Sequence, residues 1–185
     1  MNNTIKTALF DLFERNAQIW KSEKGTLPQQ QFDAEWQSSC EQEKIADGLV
    51  TWSPVERDIE LTLSNIEDAL EVKLHPSIHQ LFCSYYADGI TCLFDGHPVD
   101  LIQVWNEDDF KLLQENMIAH FMMQKRLKKP ASMFIASCSD EMQVISILNE
   151  TGEVQLETLG KKQEAVLAPN IETFINNLQP VINSL

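Results

Sequence analysis

The sequence predicts an α+β fold: a mostly antiparallel sheet flanked by helices. Two observations carry this. In the last third, β-rich runs follow one another across short turns at Ser139-Asp140-Glu141 and Asn149-Glu150-Thr151-Gly152, and short turns join antiparallel neighbours, whereas parallel strands need a long crossover. The clear helical periodicities stand before and after those runs rather than alternating with them, which disfavours a doubly wound α/β sheet.

From Thr4 to Lys21 the apolar residues Ile5, Leu9, Leu12, Phe13 and Trp20 recur at helical spacing, so the chain opens on an amphipathic helix. Residues 22–62 hold Gly25, Pro28, Gly48, Pro54 and the isolated Trp36 and Trp52. They read as a long irregular connection or arm of a single 1–185 domain, with a short strand near Val50. Ser64 to Glu67 spells S-N-I-E, a capping-box pattern that predicts a short helix to about Lys73. Pro76 suits a first helical position, so a further helix buries Ile78, Leu81, Phe82 and Tyr85 and ends at Asp88-Gly89.

Ile90–Phe94 and Val99–Val104 flank Asp95-Gly96-His97-Pro98, a hairpin signal. Asn106 is placed to cap the longest helix, about Glu107 to Lys128, whose inner face is Phe110, Leu113, Met117 and Phe121. Pro130 stops it. Strands are predicted at Met133–Ala136, Met142–Leu148, Val154–Thr158 and Ala165–Leu167. Both alternating sets within Met142–Leu148 are largely apolar, as in an inner strand covered on both faces. Asn170 caps a last helix carrying Ile171, Phe174, Ile175 and Leu178, and Pro180 bends or breaks its end.

At 185 residues the chain is long enough to bury a core without disulfides or metal. Its charge is the unusual feature: 28 acidic residues against 14 basic ones, a formal charge of -14. That balance opposes nucleic acid as the main partner and direct docking on an anionic lipid surface. A basic protein partner is the electrostatic complement. Cys40, Cys83, Cys92 and Cys138 are widely spaced without a C-x-x-C pair, the pattern of reduced thiols in a cytoplasmic protein. No window reaches the twenty or so apolar residues of a membrane span, and the N-terminus lacks a secretory signal.

No familiar catalytic or cofactor motif is complete, and neither cofactor nor metal is expected. Six glycines supply no P-loop and no G-x-G-x-x-G. His75 and His79 have the i,i+4 spacing of helix-borne metal ligands. Pro76 between them sets His75 before the helix proper, which favours capping and packing roles. His120 lies one turn from Glu115 and Asn116, yet no nucleophile or anion hole accompanies it; a small hydrolase centred on His120 is the least favoured reading.

The acidity is concentrated. Between Glu56 and Glu115 stand thirteen carboxylates, opposed only by Arg57, Lys73 and Lys111. Glu107, Asp108 and Asp109 fall in a helix first turn, where they offset the macrodipole. The dipole leaves the hairpin and the neighbouring helix end unexplained, so the sequence predicts an acidic binding face of Glu67, Asp68, Glu71, Asp88, Asp95, Asp100, Glu107, Asp108, Asp109 and Glu115. Trp36, Trp52 and Trp105 are candidate apolar anchors for it. Lys125-Arg126-Leu127-Lys128-Lys129 is a basic counterpart at the long helix's end, which dipole complementation accounts for, with lipid headgroups or partner carboxylates as the other reading.

The run Gln103-x-Trp105-x-Glu107-Asp108-Asp109-Phe110, followed by Gln114-Glu115-Asn116-x-Ile118-x-His120 and Gln124-Lys125-Arg126-Leu127-Lys128, resembles the Syd family of SecY-interacting proteins. The resemblance continues through Phe134-Ile135-Ala136, Val144-Ile145-Ser146, Gly152-Glu153-Val154 and Glu157-Thr158-Leu159-Gly160, and departs mainly in residues 25–60. It implies a non-enzymatic protein of the Smi1/Knr4-like (SUKH) group, peripheral on the cytoplasmic side of the bacterial inner membrane. Its acidic surface would receive basic cytoplasmic loops of SecY, monitoring or restraining improperly assembled channels, with membrane contact only through SecY. An immunity-type or scaffold protein of the same fold, holding another basic partner, is the alternative.

Overall fold

The computed structural model describes residues 4–57, 62–158 and 165–182. Helix α1 (Thr4–Lys24) buries the predicted stripe Ile5, Leu9, Leu12 and Phe13. It packs against the helices at Pro76–Cys83 and Ile171–Asn177. The Arg15 guanidinium reaches the carbonyls of Leu178 and Ile175, satisfying acceptors that a helix end leaves open.

Within residues 22–62 the chain builds short strands: β1 (Gln29–Gln31), β2 (Glu41–Lys44) and β3 (Leu49–Trp52), in the antiparallel order β1-β3-β2. Cys40 and Trp52 are buried, and the Trp52 and Trp105 indoles meet edge to face with centroids 6.3 Å apart. Trp105 Nε1 donates to Trp36 O at 3.0 Å, Asn106 Nδ2 donates to Gln37 O at 3.0 Å, and Ser38 Oγ donates to Trp105 O. Residues 36–38 are thus held against the start of the long helix. β4 (Val55–Glu56) then pairs with β5 (Tyr85–Tyr86).

Two local expectations are corrected. Helix α2 (Ser64–Leu70) has Leu63 at its N-cap, with no side-chain cap bond. Leu63 is fully buried, so core packing sets the helix start. Glu67 is drawn past the helix end instead, accepting from Leu74 N at 2.9 Å and Lys73 Nζ at 3.1 Å. Helix α3 (Pro76–Cys83) stops before Tyr85, which turns into β5, where its ring meets Phe13 edge to face with centroids 5.5 Å apart. His75 caps α3 as its position suggested, its Nδ1 accepting from Ser77 N at 3.3 Å.

β6 (Ile90–Phe94) and β7 (His97–Leu101) form the hairpin, tightened to the two residues Asp95 and Gly96. Both have positive φ, 49° and 80°, the conformation of a two-residue turn that follows strand twist. Asn106 caps α4 (Glu107–Arg126), accepting from Asp109 N at 2.8 Å. β8 (Ser132–Cys138), β9 (Gln143–Leu148), β10 (Val154–Thr158) and β11 (Ala165–Ala168) follow. Asn170 caps α5 (Ile171–Asn177), and β12 (Gln179–Pro180) closes the order.

The main sheet is antiparallel and seven-stranded, β11-β10-β9-β8-β7-β6-β12. Thr91, Asp100, Ser137, Val144 and Glu157 lie in one row of cross-strand partners, so their side chains share a face. α4 packs on β8, and its Gln124 reaches Glu157 at one end of that row. Asp100 and Ser137, further along, are exposed. Val99, Leu101, Ile145, Ile147 and Val154 belong to the main core with Phe82 and Phe174.

Candidate functional site

The acidic site is assembled where two separate stretches of chain meet. The backbone crosses at Ala87, whose N–H donates to Val104 O at 2.8 Å. This sets Tyr86 and Asp88 beside the first turn of α4. The Tyr86 hydroxyl donates to Glu107, and Asp109 Oδ2 accepts from Trp105 N at 2.8 Å. With Asn106 accepting from Asp109 N, the helix start is capped from both sides.

Asp88 is the strained member. Its carboxylate accepts from Gly89 N at 2.8 Å. Burial above all, with a smaller push from the negative charge of Asp109, lifts its pKa to about 6 against that one hydrogen bond. A groove of about 200 Å³ opens beside it, with Trp20 and Trp52 among its walls and Asn16 and Thr91 as polar neighbours. A carboxylate facing aromatic rings suits a lysine or arginine side chain, which gains from both charge and ring. Thr91 also donates to Asp100 at 2.6 Å, which joins that carboxylate to the groove's edge.

The local cations leave this group unneutralised. Arg57 is buried, its guanidinium between the rings of Tyr86 and Phe110 at 4.3 and 4.0 Å, and it donates to Phe82 O at 2.8 Å. Lys73 bridges Glu67 at 3.1 Å and Lys111 bridges Asp108 at 2.8 Å. Asp88, Glu107 and Asp109 have no ion-pair partner among the described residues.

The lifted Asp88 predicts a stability effect of definite sign. The folded protein holds the Asp88 proton more firmly than the unfolded chain, so its ionisation costs stability at neutral pH, and that cost disappears as pH falls through 6 towards 3.8. Asp88→Asn is expected to raise stability at pH 7.5 by about 1–3 kcal/mol, with the gap closing near pH 4. Urea unfolding at the two pH values checks it; an equal or lower stability at pH 7.5 contradicts it.

The other predicted carboxylates do not converge here. Asp68 and Glu71 are exposed on and just after α2, and Glu115 is exposed further along α4. Glu67 is occupied by Lys73, Leu74 and His79, the last at 3.4 Å. Asp95 is exposed at the hairpin tip. Of the proposed anchors, Trp52 and Trp105 are spent on internal packing at 3% and 5% exposure, while Trp36 stands 36% exposed. Trp52 and Trp105 hold the segment bearing Trp36 and Trp52 to the start of α4 rather than projecting from the surface.

Sequence reasoning missed a second polar centre. Glu157 is 6% exposed and accepts from Ser132 Oγ, Ser146 Oγ and, at 2.9 Å, Gln124 Nε2. Burial pushes its pKa up, but these hydrogen bonds and nearby His120 more than offset that and hold it below the ordinary value. His120 lies 3.3 Å from Ser132 Oγ, and burial lowers its pKa. Ser132 is fully buried and gives its proton to Glu157 rather than to His120. A nucleophile needs an exposed hydroxyl facing its base, so this group is a buried hydrogen-bond hub that pins α4 to three strands. A strand residue flanked by Leu156 and Thr158 offered no local sign of such burial.

His75 and His79 point to different partners, Ser77 and Glu67. Among the described residues no three His, Cys, Asp or Glu side chains gather around a possible metal position. Burial pushes the thiols of Cys83 and Cys92 up to about 11 and about 12, leaving them protonated. No described helix is long and apolar enough to cross a membrane.

Comparison with known proteins adds the family. The family model described as Syd protein (SUKH-2) matches residues 6–180. Protein Syd of Psychromonas ingrahamii is 58% identical over 182 residues, covering 98% of this chain and 99% of that protein. Protein Syd of Aliivibrio fischeri strain MJ11 is 37% identical over 179 residues, 97% of each chain. Protein Syd of Tolumonas auensis is 48% identical over 130 residues, 70% of this chain and 67% of that one. Matched along almost its whole length, with five α-helices and a large antiparallel sheet among the described residues, the chain belongs to the Syd (SUKH-2) family.

Proposed function

We propose that the acidic start of α4, with the groove at Asp88, docks on basic cytoplasmic loops of the SecY channel. The protein would act from the cytoplasmic side of the bacterial inner membrane, without catalysis, monitoring or restraining improperly assembled SecY. The supporting observation is the group Asp88, Glu107 and Asp109, which has no ion-pair partner among the described residues, with a tryptophan-lined groove at Asp88. Keeping Asp88 ionised there costs stability, a cost that a bound cation would remove. Asp108 and Asp100 extend the acidic rim.

Each exposed ion pair contributes only about 0.2–1 kcal/mol, and salt weakens it. Several acting together accelerate encounter and fix orientation. The test uses synthetic peptides of SecY's basic cytoplasmic loops and Asp88→Asn/Glu107→Gln/Asp108→Asn, with Asp109 kept because it caps α4. Affinity by calorimetry at low salt is expected to fall roughly tenfold, with salt dependence reduced and the fold intact by circular dichroism. Unchanged affinity of the folded variant removes this surface from the proposal. Equal binding of a scrambled peptide of the same charge would favour a general basic partner.

A further inference from the structure

We propose that the opposite end of α4 makes a direct contact with an anionic lipid bilayer. The net charge of -14 argues against such a contact for the molecule as a whole, but the charge is polarised along this helix. Its first turn holds Glu107, Asp108 and Asp109, and its last holds Lys125 and Arg126, followed by Lys128 and Lys129. Twenty residues of helix separate the ends by about 30 Å, several times the roughly 8 Å over which physiological salt screens charge. A surface touching the basic end therefore does not feel the acidic end.

The helix dipole accounts for cations at a C-terminus. It does not account for the apolar side chains among them. Met122, Met123 and Leu127 are 61%, 44% and 55% exposed, three of the eight exposed large hydrophobics among the described residues, all within one and a half turns. Beside Met122 an apolar groove of about 750 Å³ runs between α4 and the end of α2, floored by Leu70, Val72, Ile118 and Phe121 and rimmed by Lys125, Arg126 and Lys129. Glu71 stands on the other wall as the one carboxylate lining it among the described residues. Lys125, Arg126 and Lys128 are paired with no carboxylate among the described residues. Phosphates and glycerol-level acyl carbons supply what this end lacks: anions for the rim, apolar surface for the methionines and the groove. Stable membrane contact takes both a basic patch and an apolar element.

The experiment is sedimentation of the intact protein with vesicles in 0.15 M salt, with no other protein present. Phosphatidylglycerol and phosphatidylcholine at 3:7 are compared with pure phosphatidylcholine. Binding is expected to the anionic vesicles alone. Lys125→Gln/Arg126→Gln/Lys128→Gln, all at exposed positions, is expected to lower the partition coefficient about tenfold or more. Met122→Gln/Leu127→Gln, which leaves every charge in place, is expected to lower it about threefold or more. Melting curves confirm that both variants fold. No binding to anionic vesicles, equal binding to neutral ones, or an unaffected lysine–arginine variant overturns the proposal. Because SecY is absent, each outcome is independent of the docking proposed at the other end, and both variants should bind SecY peptides as the parent does.

Discussion

Replacing Glu157 by alanine should lower the unfolding free energy by about 3–5 kcal/mol, the scale seen when one partner of a buried charged network is removed. The deletion leaves Ser132 Oγ, Ser146 Oγ and Gln124 Nε2 without their shared acceptor in a site that is 6% exposed or less. Gln124 Oε1 is already buried without a partner, so that amide has no slack. At about 2–4 °C per kcal/mol for a chain of this size, the melting temperature should drop by about 10 °C.

Glu157→Gln keeps the shape but presents an amide to donors that had met a carboxylate, and should cost less. The pH dependence separates charge from packing. Glu157's folded pKa lies below 4.5, so its contribution is complete above that pH and is lost as pH falls through the lower folded value. The gap between parent and Glu157→Ala should therefore narrow in acid. His120, held neutral by burial, makes both proteins lose stability as pH falls below 6.5. A variant within 1 kcal/mol of the parent at neutral pH would show that the hub does not hold α4. Urea unfolding at three pH values decides it.

Gly152→Ala should cost about 2–4 kcal/mol for two reasons that act together. Gly152 has φ +78°, which a side chain resists, and a Cβ there would stand 2.4 Å from His75 Cε1. The ring has little freedom to retreat. Its Nδ1 accepts from Ser77 N to cap α3, while His75 N donates to Asn149 Oδ1 at 2.8 Å in the same turn as Gly152. Asn149 Nδ2 also donates to Lys73 O at 2.8 Å, so turn and helix start are bolted together. His75→Ala removes the clash, and the double variant should be less destabilised than the two single costs added. Additive costs, or a Gly152→Ala protein as stable as the parent, would contradict this contact.

Helices were the most legible part of the sequence. α4 and α5 begin where Asn106 and Asn170 predicted, because a side-chain cap acts within three residues and owes little to the rest of the chain. The capping box at Ser64 failed for the converse reason: Leu63, the residue just before α2, is claimed by the core. Tyr85 has helical spacing to Leu81 and Phe82 but packs edge to face on Phe13, more than seventy residues away in sequence. Residues 22–62 show no periodicity long enough to read, since the strands described there are two to four residues each and the first three are stabilised by Trp36, Ser38 and Trp52 meeting Trp105.

The sequence by itself determined the α+β class, the sheet's antiparallel hairpins, the long capped helix and an acidic stretch opposed by few cations. Those follow from alternation, capping and charge counts, which are local or additive. Only the tertiary structure decided how the acidity is divided. It brought Asp88 to Asp109, spent Arg57 between two rings, turned Glu67 towards its own loop, and left Asp68, Asp95 and Glu115 elsewhere. It also buried Glu157 under α4, placing one carboxylate of an acidic protein in service of the fold. Electrostatic coupling falls off within a few ångströms to a screening length, so which charges act together depends on distances in space that no count along the chain contains.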